Sequence, residues 1–368
     1  MPDLFTPLKL RDTELPNRLM VSPMCQYSVE DCDGTATEWH HVHLGSRAVG
    51  GAGVVMAEAT AVEKRGRISP QDLGIWRDEH AEALSRTTEF IKSQGSIPAI
   101  QLAHAGRKAS SVRPWEGGGP LTPEEGGWEV VGPTSQPFPA GDETPRQTRR
   151  LTTEEIGDVV DSFRVAAERA HDAGFDVAEV HAAHGYLLHE FLSPVTNDRE
   201  DDYGGSFEKR TRLTREVTAA VREVWPEEKP VFVRISGTDW LPERDSWTIE
   251  QSTRLADQLA DVGADLIDVS SGGIVPESAP DSPGPNYQVP LAEHVRHESK
   301  SAIAVGAVGG ITTAEQADAL VRNDRADLAI VGRTFLREPY FGLHAARELG
   351  VGERNEPPAQ YERGFPHQ

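Results

Sequence analysis

The feature that most restricts the fold of this sequence is a regular alternation of short apolar runs with longer amphipathic segments. Eight runs of seven to ten residues have the composition of buried strands: 17–24, 53–62, 97–106, 176–185, 230–237, 265–273, 302–310 and 327–333. The intervening segments have helical periodicity, as in 152–174, where Thr152 or Thr153 is placed to cap a helix and Gly174 to end it. Eight strand-then-helix units predict an α/β fold, a single (β/α)8 TIM barrel. An open doubly wound sheet remains the alternative, because periodicity does not reveal closure.

We expect one domain over residues 1–368, since the chain has no Ser/Gly linker, low-complexity block or internal repeat. The Gly-, Pro- and Trp-rich stretch 110–150 is too long for a simple connection. A loop insertion at this place, after strand 3, would lie over the barrel mouth, so we expect it to be lid-like. The tail 355–368 follows the last helical segment, and its prolines predict an extended conformation.

The net charge of the chain limits the classes of molecule that it could bind. The chain has 59 acidic and 37 basic residues and a net charge of −22, which would repel nucleic-acid phosphates and anionic membranes. There is no apolar run of about twenty residues, and the N-terminus lacks the pattern of a signal peptide, so we expect a cytoplasmic protein. Only seven of the basic residues are lysines, and an acidic, lysine-poor surface suggests the hypothesis of salt adaptation. Two cysteines are too few for a disulfide framework.

Polar residues gather where the predicted strands end, which is where barrel enzymes place their active sites. These strand-end residues are Ser22, Pro23, Met24, Cys25, Glu58, Ala59, Thr60, Gln101, His104, His181, His184, Tyr186, Arg234, Ser270, Ser271, Gly272, Gly273, Gly309, Gly310, Gly332 and Arg333. Glycines after the seventh and eighth strands would let backbone N–H groups approach an anion, and Arg333 adds a bidentate donor. This pattern predicts a phosphate site.

Several chemistries fit these strand ends poorly. No lysine falls within the eight runs to form a Schiff base, and no GxGxxG follows the first run. His41 and His43 have zinc-ligand spacing but begin a helical stretch. A metal at His181 and His184 stays open. The remaining set suits a flavin that accepts and returns a hydride: Gln101 could read a cyclic imide, Arg234 could stabilise charge on the ring, the histidines could bind a carbonyl, and Tyr186 could supply a proton.

Longer segments make the sequence recognisable. NRLMVSPMCQYS, IQLAHAGRK, FDVAEVHAAHGYLLHEFLSPVTNDREDDYGGSFEKR, VGRTFLREP and QYERG span nearly the whole chain. Together they resemble the old yellow enzyme family of FMN-dependent ene-reductases, in its bacterial subgroup with a cysteine beside the flavin.

The resemblance implies a tightly but non-covalently bound FMN and a role for each matching residue. Pro23, Met24 and Cys25, with Ser22 beside them, would lie against the flavin. Ala59, Gln101 and Arg234 would bind the isoalloxazine ring. Ser271, Gly272, Gly309, Gly332 and Arg333 would hold the ribityl phosphate. His181 and His184 would bind the substrate oxygen, Tyr186, with a pKa near 10, would donate the proton, and Tyr27 would line the pocket. No metal is implied.

The implied reaction is ping-pong hydride transfer from NAD(P)H, through FMN, to the C=C bond of an α,β-unsaturated carbonyl compound. The resemblance also implies a homodimer, or a tetramer built from dimers, in which Arg363 enters the neighbouring site. Phe365 departs from a common tryptophan, which puts the substrate range in doubt. Three alternatives stay open: a redox sensor that binds FMN without turnover, a metal-dependent barrel hydrolase, and a dienoyl-CoA reductase, which would need an iron–sulfur cluster and an FAD domain.

Overall fold

The eight predicted apolar runs form a closed, all-parallel barrel. The computed structural model describes residues 2–139 and 147–365. The first two strands, β1 (Leu8–Leu10) and β2 (Thr13–Leu15), form an antiparallel hairpin. The barrel strands are β3 (Leu19–Val21), β4 (Val54–Ala61), β5 (Ile97–Ala103), β8 (Val177–Ala182), β9 (Val231–Ser236), β10 (Leu266–Ser270), β11 (Ala304–Val308) and β12 (Leu328–Val331). They neighbour one another in chain order, and β12 pairs with β3 to close the ring. The predicted TIM barrel is confirmed, and the open sheet is excluded.

Helices connect the strands around the outside of the barrel. They are α1 (Glu38–Val49), α2 (Asp78–Ser93), α3 (Thr153–Asp172), α4 (Leu187–Leu192), α5 (Phe207–Arg210), α6 (Arg212–Val224), α7 (Ile249–Asp261), α8 (Val289–Glu298), α9 (Ala314–Arg322), α10 (Arg333–Arg337) and α11 (Phe341–Glu348). The predicted start of α3 is confirmed, since the Thr152 hydroxyl accepts from the Glu155 amide and the Glu155 carboxylate accepts from the Thr152 amide. Among the described residues, no helix is both long enough and apolar enough to cross a membrane.

The barrel strands are shorter than the predicted runs, chiefly at their C-terminal ends. β3, for instance, ends at Val21, whereas the predicted run continued to residue 24. Beyond such points the chain makes no further strand-to-strand hydrogen bonds, because the βα loops diverge and no neighbouring strand remains to pair with. Polar residues expected at strand ends therefore lie on loops at the barrel mouth.

The barrel interior is apolar at its N-terminal end. Its lower layers contain Met20, Val54, Met56, Ala99, Val177, Phe232, Leu266, Leu328 and Ile330. Leu15 of the β1–β2 hairpin belongs to the same cluster, with Leu8 and Leu10 packed against it. The hairpin thus closes the end of the barrel opposite the mouth.

Two departures from a plain barrel were expected. The insertion 110–150 contains β6 (Val130–Gly132), which pairs in parallel with β7 (Thr148–Arg150), and 140–146 lies outside the described residues. The prediction of an extended tail is wrong for Ala359–Gly364, which forms a 3-10 helix. Pro358 precedes it with φ −58°, a value suited to starting a helical turn. Residues 366–368 of the tail lie outside the described residues.

Candidate active site

The site begins inside the barrel, where alternate residues of each strand point to the same face. Val177 lies in the apolar interior, and Glu179 and His181 follow it at two-residue intervals along β8. On the neighbouring strands, the interior residues also change from apolar to polar at the same level along the barrel axis. Strand register places Gln101 beside Glu179, and Arg234 beside both His181 and Asp268. A buried polar layer therefore covers the apolar interior, and it consists of Gln101, Glu179, Arg234 and Asp268.

Hydrogen bonds fix the geometry of this polar layer. Gln101 Nε2 donates to Glu179 Oε1 at 2.7 Å. Arg234 Nε donates to Asp268 Oδ2 at 2.6 Å, and Arg234 Nη2 donates to Ser22 Oγ at 3.1 Å. Burial, reinforced by the charge of Asp268, raises the pKa of Glu179 to about 8. Sequence reasoning named Ser22, Gln101 and Arg234 but missed the two carboxylates. The signal was present, since each lies two residues before a predicted site residue in an otherwise apolar run.

Three predicted catalytic side chains come together above this layer. The ring centroid of His181 lies 5.2 Å from that of His184 and 5.1 Å from that of Tyr186, with both pairs nearly perpendicular. His184 Nε2 lies 2.7 Å from Ser270 Oγ. His181 Nδ1 is buried and has no hydrogen-bond partner among the described residues. Burial lowers the pKa of both histidines well below 6.5, so both rings are uncharged at neutral pH.

The loop that carries His184 and Tyr186 is held from several sides. His184 has φ +61° and Gly185 has φ +71°, a left-handed turn that brings the chain against Gly273. Lys108 Nζ donates to the His184 carbonyl at 2.7 Å. From α4, His189 Nδ1 accepts the Gly185 amide hydrogen at 2.8 Å, which fixes the orientation of the ring against the loop.

Behind this loop lies a second buried network centred on Asp239, which sequence reasoning also missed. His189 Nε2 lies 3.0 Å from Asp239 Oδ1. Ser193 Oγ donates to Asp239 Oδ2 at 2.6 Å, and the Trp247 amide donates to the same oxygen at 2.9 Å. His189, Ser193 and Asp239 are fully buried. The carboxylate therefore anchors the histidine that holds Gly185.

The segment after β3 forms another side of the site. Cys25 is half-buried, and its thiol is hydrogen-bonded to the Tyr27 hydroxyl. Burial, with the charges of Asp72 and Glu58, raises the pKa of Cys25 well above 9. Burial also raises the pKa of Tyr186 well above 10, which corrects the ordinary value expected from the sequence. Tyr186 is therefore protonated throughout the neutral range.

Two positions predicted to lie against the flavin ring, Ala59 and Pro23, are on the same side of the site as Cys25. Part of the insertion 110–150 is there as well. Ala59 is buried at an irregularity in β4 and pairs with Gln101. Pro23 lies between Ser22 and Met24 in the loop that leaves β3. From the insertion, the Trp115 ring packs edge-on against Tyr27 with a centroid separation of 5.7 Å. The insertion thus contacts the candidate pocket.

A cavity of about 550 Å³ leads outward from Arg234 and His184 between the ends of β11 and β12. Of the predicted residues, Ser22, Met24, His184, Arg234, Gly309, Gly332 and Arg333 line it, and they are joined by the unpredicted Gln288 and Arg337. Arg333 and Arg337 are exposed and have no ion-pair partner among the described residues. Gly309 has φ +115°, a backbone conformation that favours glycine, and a Cβ there would also lie 2.5 Å from Gln288 Nε2.

Two predicted phosphate ligands do not reach this cavity. The Ser271 hydroxyl donates to Gln288 Oε1 at 2.6 Å, and the Gly272 amide donates to the Thr238 carbonyl at 2.9 Å. Both residues therefore support the wall through Gln288 and the adjoining loop. Arg363 is exposed on the 3-10 helix of the tail, where Tyr361 packs against Tyr340 at 5.9 Å, and the described residues show no contact between Arg363 and this site.

This donor set fits FMN. At the outer end of the cavity, Arg333 and Arg337, which have no ion-pair partner among the described residues, suit a phosphate, and at the inner end the buried guanidinium of Arg234 suits a flat ring rich in carbonyl groups. Within the described residues, no group of three or more His, Cys, Asp or Glu side chains is placed to hold a metal ion.

Comparisons with known proteins identify the family of this chain. Residues 3–350 match the family described as NADH:flavin oxidoreductase / NADH oxidase. An NADPH dehydrogenase of Listeria monocytogenes serotype 4a (strain HCC23) is 47% identical over 99% of this chain and 100% of its own. The solved structure of morphinone reductase in complex with tetrahydroNAD is 29% identical, with a TM-score of 0.76, over 98% of this chain and 94% of its own. An old yellow enzyme homologue from Zymomonas mobilis is 25% identical, with a TM-score of 0.77, over the full length of both chains. The chain therefore belongs to the NADH:flavin oxidoreductase / NADH oxidase family, among the old yellow enzymes, and is an FMN-dependent oxidoreductase that uses NAD(P)H as its reductant.

Proposed function

We propose that this enzyme reduces the activated C=C bond of α,β-unsaturated carbonyl compounds in a ping-pong sequence with NAD(P)H. The observation that carries the proposal is the cluster of His181, His184 and Tyr186, in which a buried imidazole nitrogen lacks a hydrogen-bond partner among the described residues. When bound, FMN supplies a hydride acceptor for the nicotinamide and a hydride donor for the alkene. The side chains around it then determine which second substrate is reduced.

The two histidines bind the substrate's carbonyl oxygen in this proposal. Both are uncharged, so each offers one N–H group. Donation to the oxygen withdraws electrons from the β-carbon and stabilises the enolate-like charge of the transition state. A well-placed donor of this kind contributes roughly 3–4 kcal/mol. His181 Nδ1, which no group in residues 2–139 or 147–365 hydrogen-bonds, is the nitrogen that makes this contact.

Tyr186 is the proton donor to the α-carbon. Its raised pKa keeps it protonated, and the enolate carbon it meets is basic enough to take the proton. The packing of its ring on His181 places the hydroxyl-bearing side chain beside the group that binds the oxygen. Acid and oxygen-binding groups thus serve the same substrate.

Ser22, Pro23, Met24, Cys25, Ala59, Gln101 and Arg234 surround the flavin ring in this proposal, and Gly309, Gly332 and Arg333 hold the phosphate. Tyr27 lines the substrate pocket next to Trp115 of the insertion. We also propose a homodimer, since the exposed Arg363 is turned to the surface with the tail and would serve a neighbouring site.

An anaerobic titration tests the proposal. The purified protein is reduced with NADPH or NADH, 2-cyclohexenone is added, and the visible flavin spectrum is followed. We expect bleaching and then recovery. Tyr186→Phe should slow only the recovery, by about 10²–10⁴-fold, the usual contribution of a general acid. Tyr203→Phe, which removes a hydroxyl bonded to Glu216, is the control and should leave both phases unchanged. Bleaching without recovery would contradict ene-reduction, and equal slowing of both phases by Tyr186→Phe would contradict the role of Tyr186.

A further inference from the structure

The buried polar layer contains two carboxyl groups and only one guanidinium. Glu179 and Asp268 are both fully buried. Asp268 Oδ2 lies 2.5 Å from Arg234 Nη2, whereas Glu179 Oε1 lies 3.9 Å from Arg234 Nε. Arg234 therefore pairs with Asp268, and the closest donor to Glu179 is the uncharged amide of Gln101.

One oxygen of each carboxyl group lacks a donor. Glu179 Oε2 and Asp268 Oδ1 are buried without a partner among the other described side chains and amides. The two carboxyl groups are nevertheless close enough to hydrogen-bond each other. Since an ionised carboxylate is only an acceptor, a hydrogen bond between them needs a proton on one of them. Two bare carboxylates touching in a dry interior would repel each other and lose their solvation.

We propose that Glu179 and Asp268 share one proton, so that the pair carries a single negative charge that balances Arg234. The two are positioning residues: Glu179 orients Gln101, and Asp268 orients Arg234. The titratable or charged groups that face the pair are Arg234 from β9 and each other from β8 and β10, with Gln101 facing it from β5. The raised pKa values of both carboxyl groups agree with the shared proton.

The shared proton also sets the charge beneath the flavin, a consequence that rests on the proposed function. With the proton present, Arg234 and the carboxyl pair sum to zero. Without it the layer has a charge of −1, which opposes the negative charge that a flavin ring gains on reduction. The pair would thus keep the flavin easily reduced at neutral pH and make its potential fall more steeply in alkali.

Infrared difference spectroscopy of the full-length chain tests the shared proton. The wild-type protein should show the carbonyl band of a protonated, buried carboxyl group at pH 7, and this band should fade as the pH rises through about 8. Glu179→Gln can still accept from Gln101 and donate to Asp268, so it should fold while losing the band. In Asp268→Asn the new amide can donate to Glu179, which then ionises and also loses the band. Glu190→Gln is the matched control, because burial raises the pKa of Glu190 to about 8 as well. It should remove a separate band only.

Measurements of the flavin midpoint potential and of the unfolding free energy test the net charge of the buried polar layer and the proton bound to it. Glu179→Gln should leave the flavin midpoint potential unchanged at pH 7 but abolish its extra fall above about pH 8. The double variant with Asp268→Asn should raise the potential at every pH.

Because the folded pKa of Glu179 is raised, its stabilisation is complete below about 4.5 and is lost as the pH rises through about 8. Between these two pH values, the slope of the unfolding free energy against pH should be less negative in Glu179→Gln than in the wild type, by the equivalent of one bound proton.

A wild-type protein without the band, or a Glu179→Gln variant with a raised potential at pH 7, would overturn the proposal and show that both carboxylates are ionised. The infrared result does not depend on any alkene. Failure of enone reduction with the band intact would therefore contradict the proposed function and leave the shared proton standing.

Discussion

At the scale of single residues, Gly185 links a restricted backbone conformation to the placement of His184 and Tyr186. Its φ of +71° is strained for any side chain, and a Cβ there would lie 2.1 Å from the Gly273 carbonyl oxygen. We expect Gly185→Ala to lower the free energy of unfolding by well over the roughly 1–2 kcal/mol that a left-handed alanine costs. It should also displace His184 and Tyr186 and reduce enone turnover more than about tenfold. Urea unfolding and steady-state rates measure the two effects. Gly205→Ala is the matched control, with φ +84° and no atom within 4 Å of its Cβ, and it should show only the backbone cost. Equal effects of the two substitutions would mean that close packing against Gly273 is unimportant.

At the scale of elements, α4 is tied to the loop after β9 through Asp239. This buried carboxylate accepts from Ser193 and the Trp247 amide and faces His189, which in turn holds Gly185. Asp239→Asn turns one acceptor into a donor, so we expect a loss of about 1.5–3 kcal/mol in unfolding free energy. The rate of flavin reoxidation by enone should fall as well, because the His184 loop loses its support. Ser193→Ala removes a hydroxyl that donates to Asp239 and accepts from the Val195 amide, and it should cost about 1–2 kcal/mol with little change in rate. A stable Asp239→Asn enzyme with normal kinetics would show that α4 holds the loop by packing alone.

At the scale of the whole molecule, the net charge of −22 should make stability depend on salt. The Debye length falls from about 10 Å at 0.1 M salt to about 3 Å at 1 M, so salt weakens repulsion among the carboxylates. Surface ion pairs such as Arg149 with Glu155, at 2.7 Å, are weakened too, but exposed pairs contribute little. We therefore expect the urea midpoint to rise between these two sodium chloride concentrations. A midpoint that falls would mean that the ion pairs outweigh the repulsion, and it would count against salt adaptation.

Features that depend on local pattern could be read from the amino-acid sequence. Apolar periodicity was enough to place all eight barrel strands, the Thr152 cap and the loops where functional residues lie. The sequence also carried the grouping of His181, His184 and Tyr186, since neighbours in one loop are close in any fold.

Features that depend on contacts between distant parts of the chain could not be read from the sequence and required the folded barrel. Barrel closure, the contact of Glu179 with Asp268, and the role of Asp239 all join residues that are far apart along the chain. The packing of the loop after β10 likewise pairs Ser271 with Gln288 and Gly272 with Thr238, residues from other parts of the chain. A pattern along one strand says which face a residue occupies. It does not say which partner stands opposite, because that partner is set by the packing of the whole barrel.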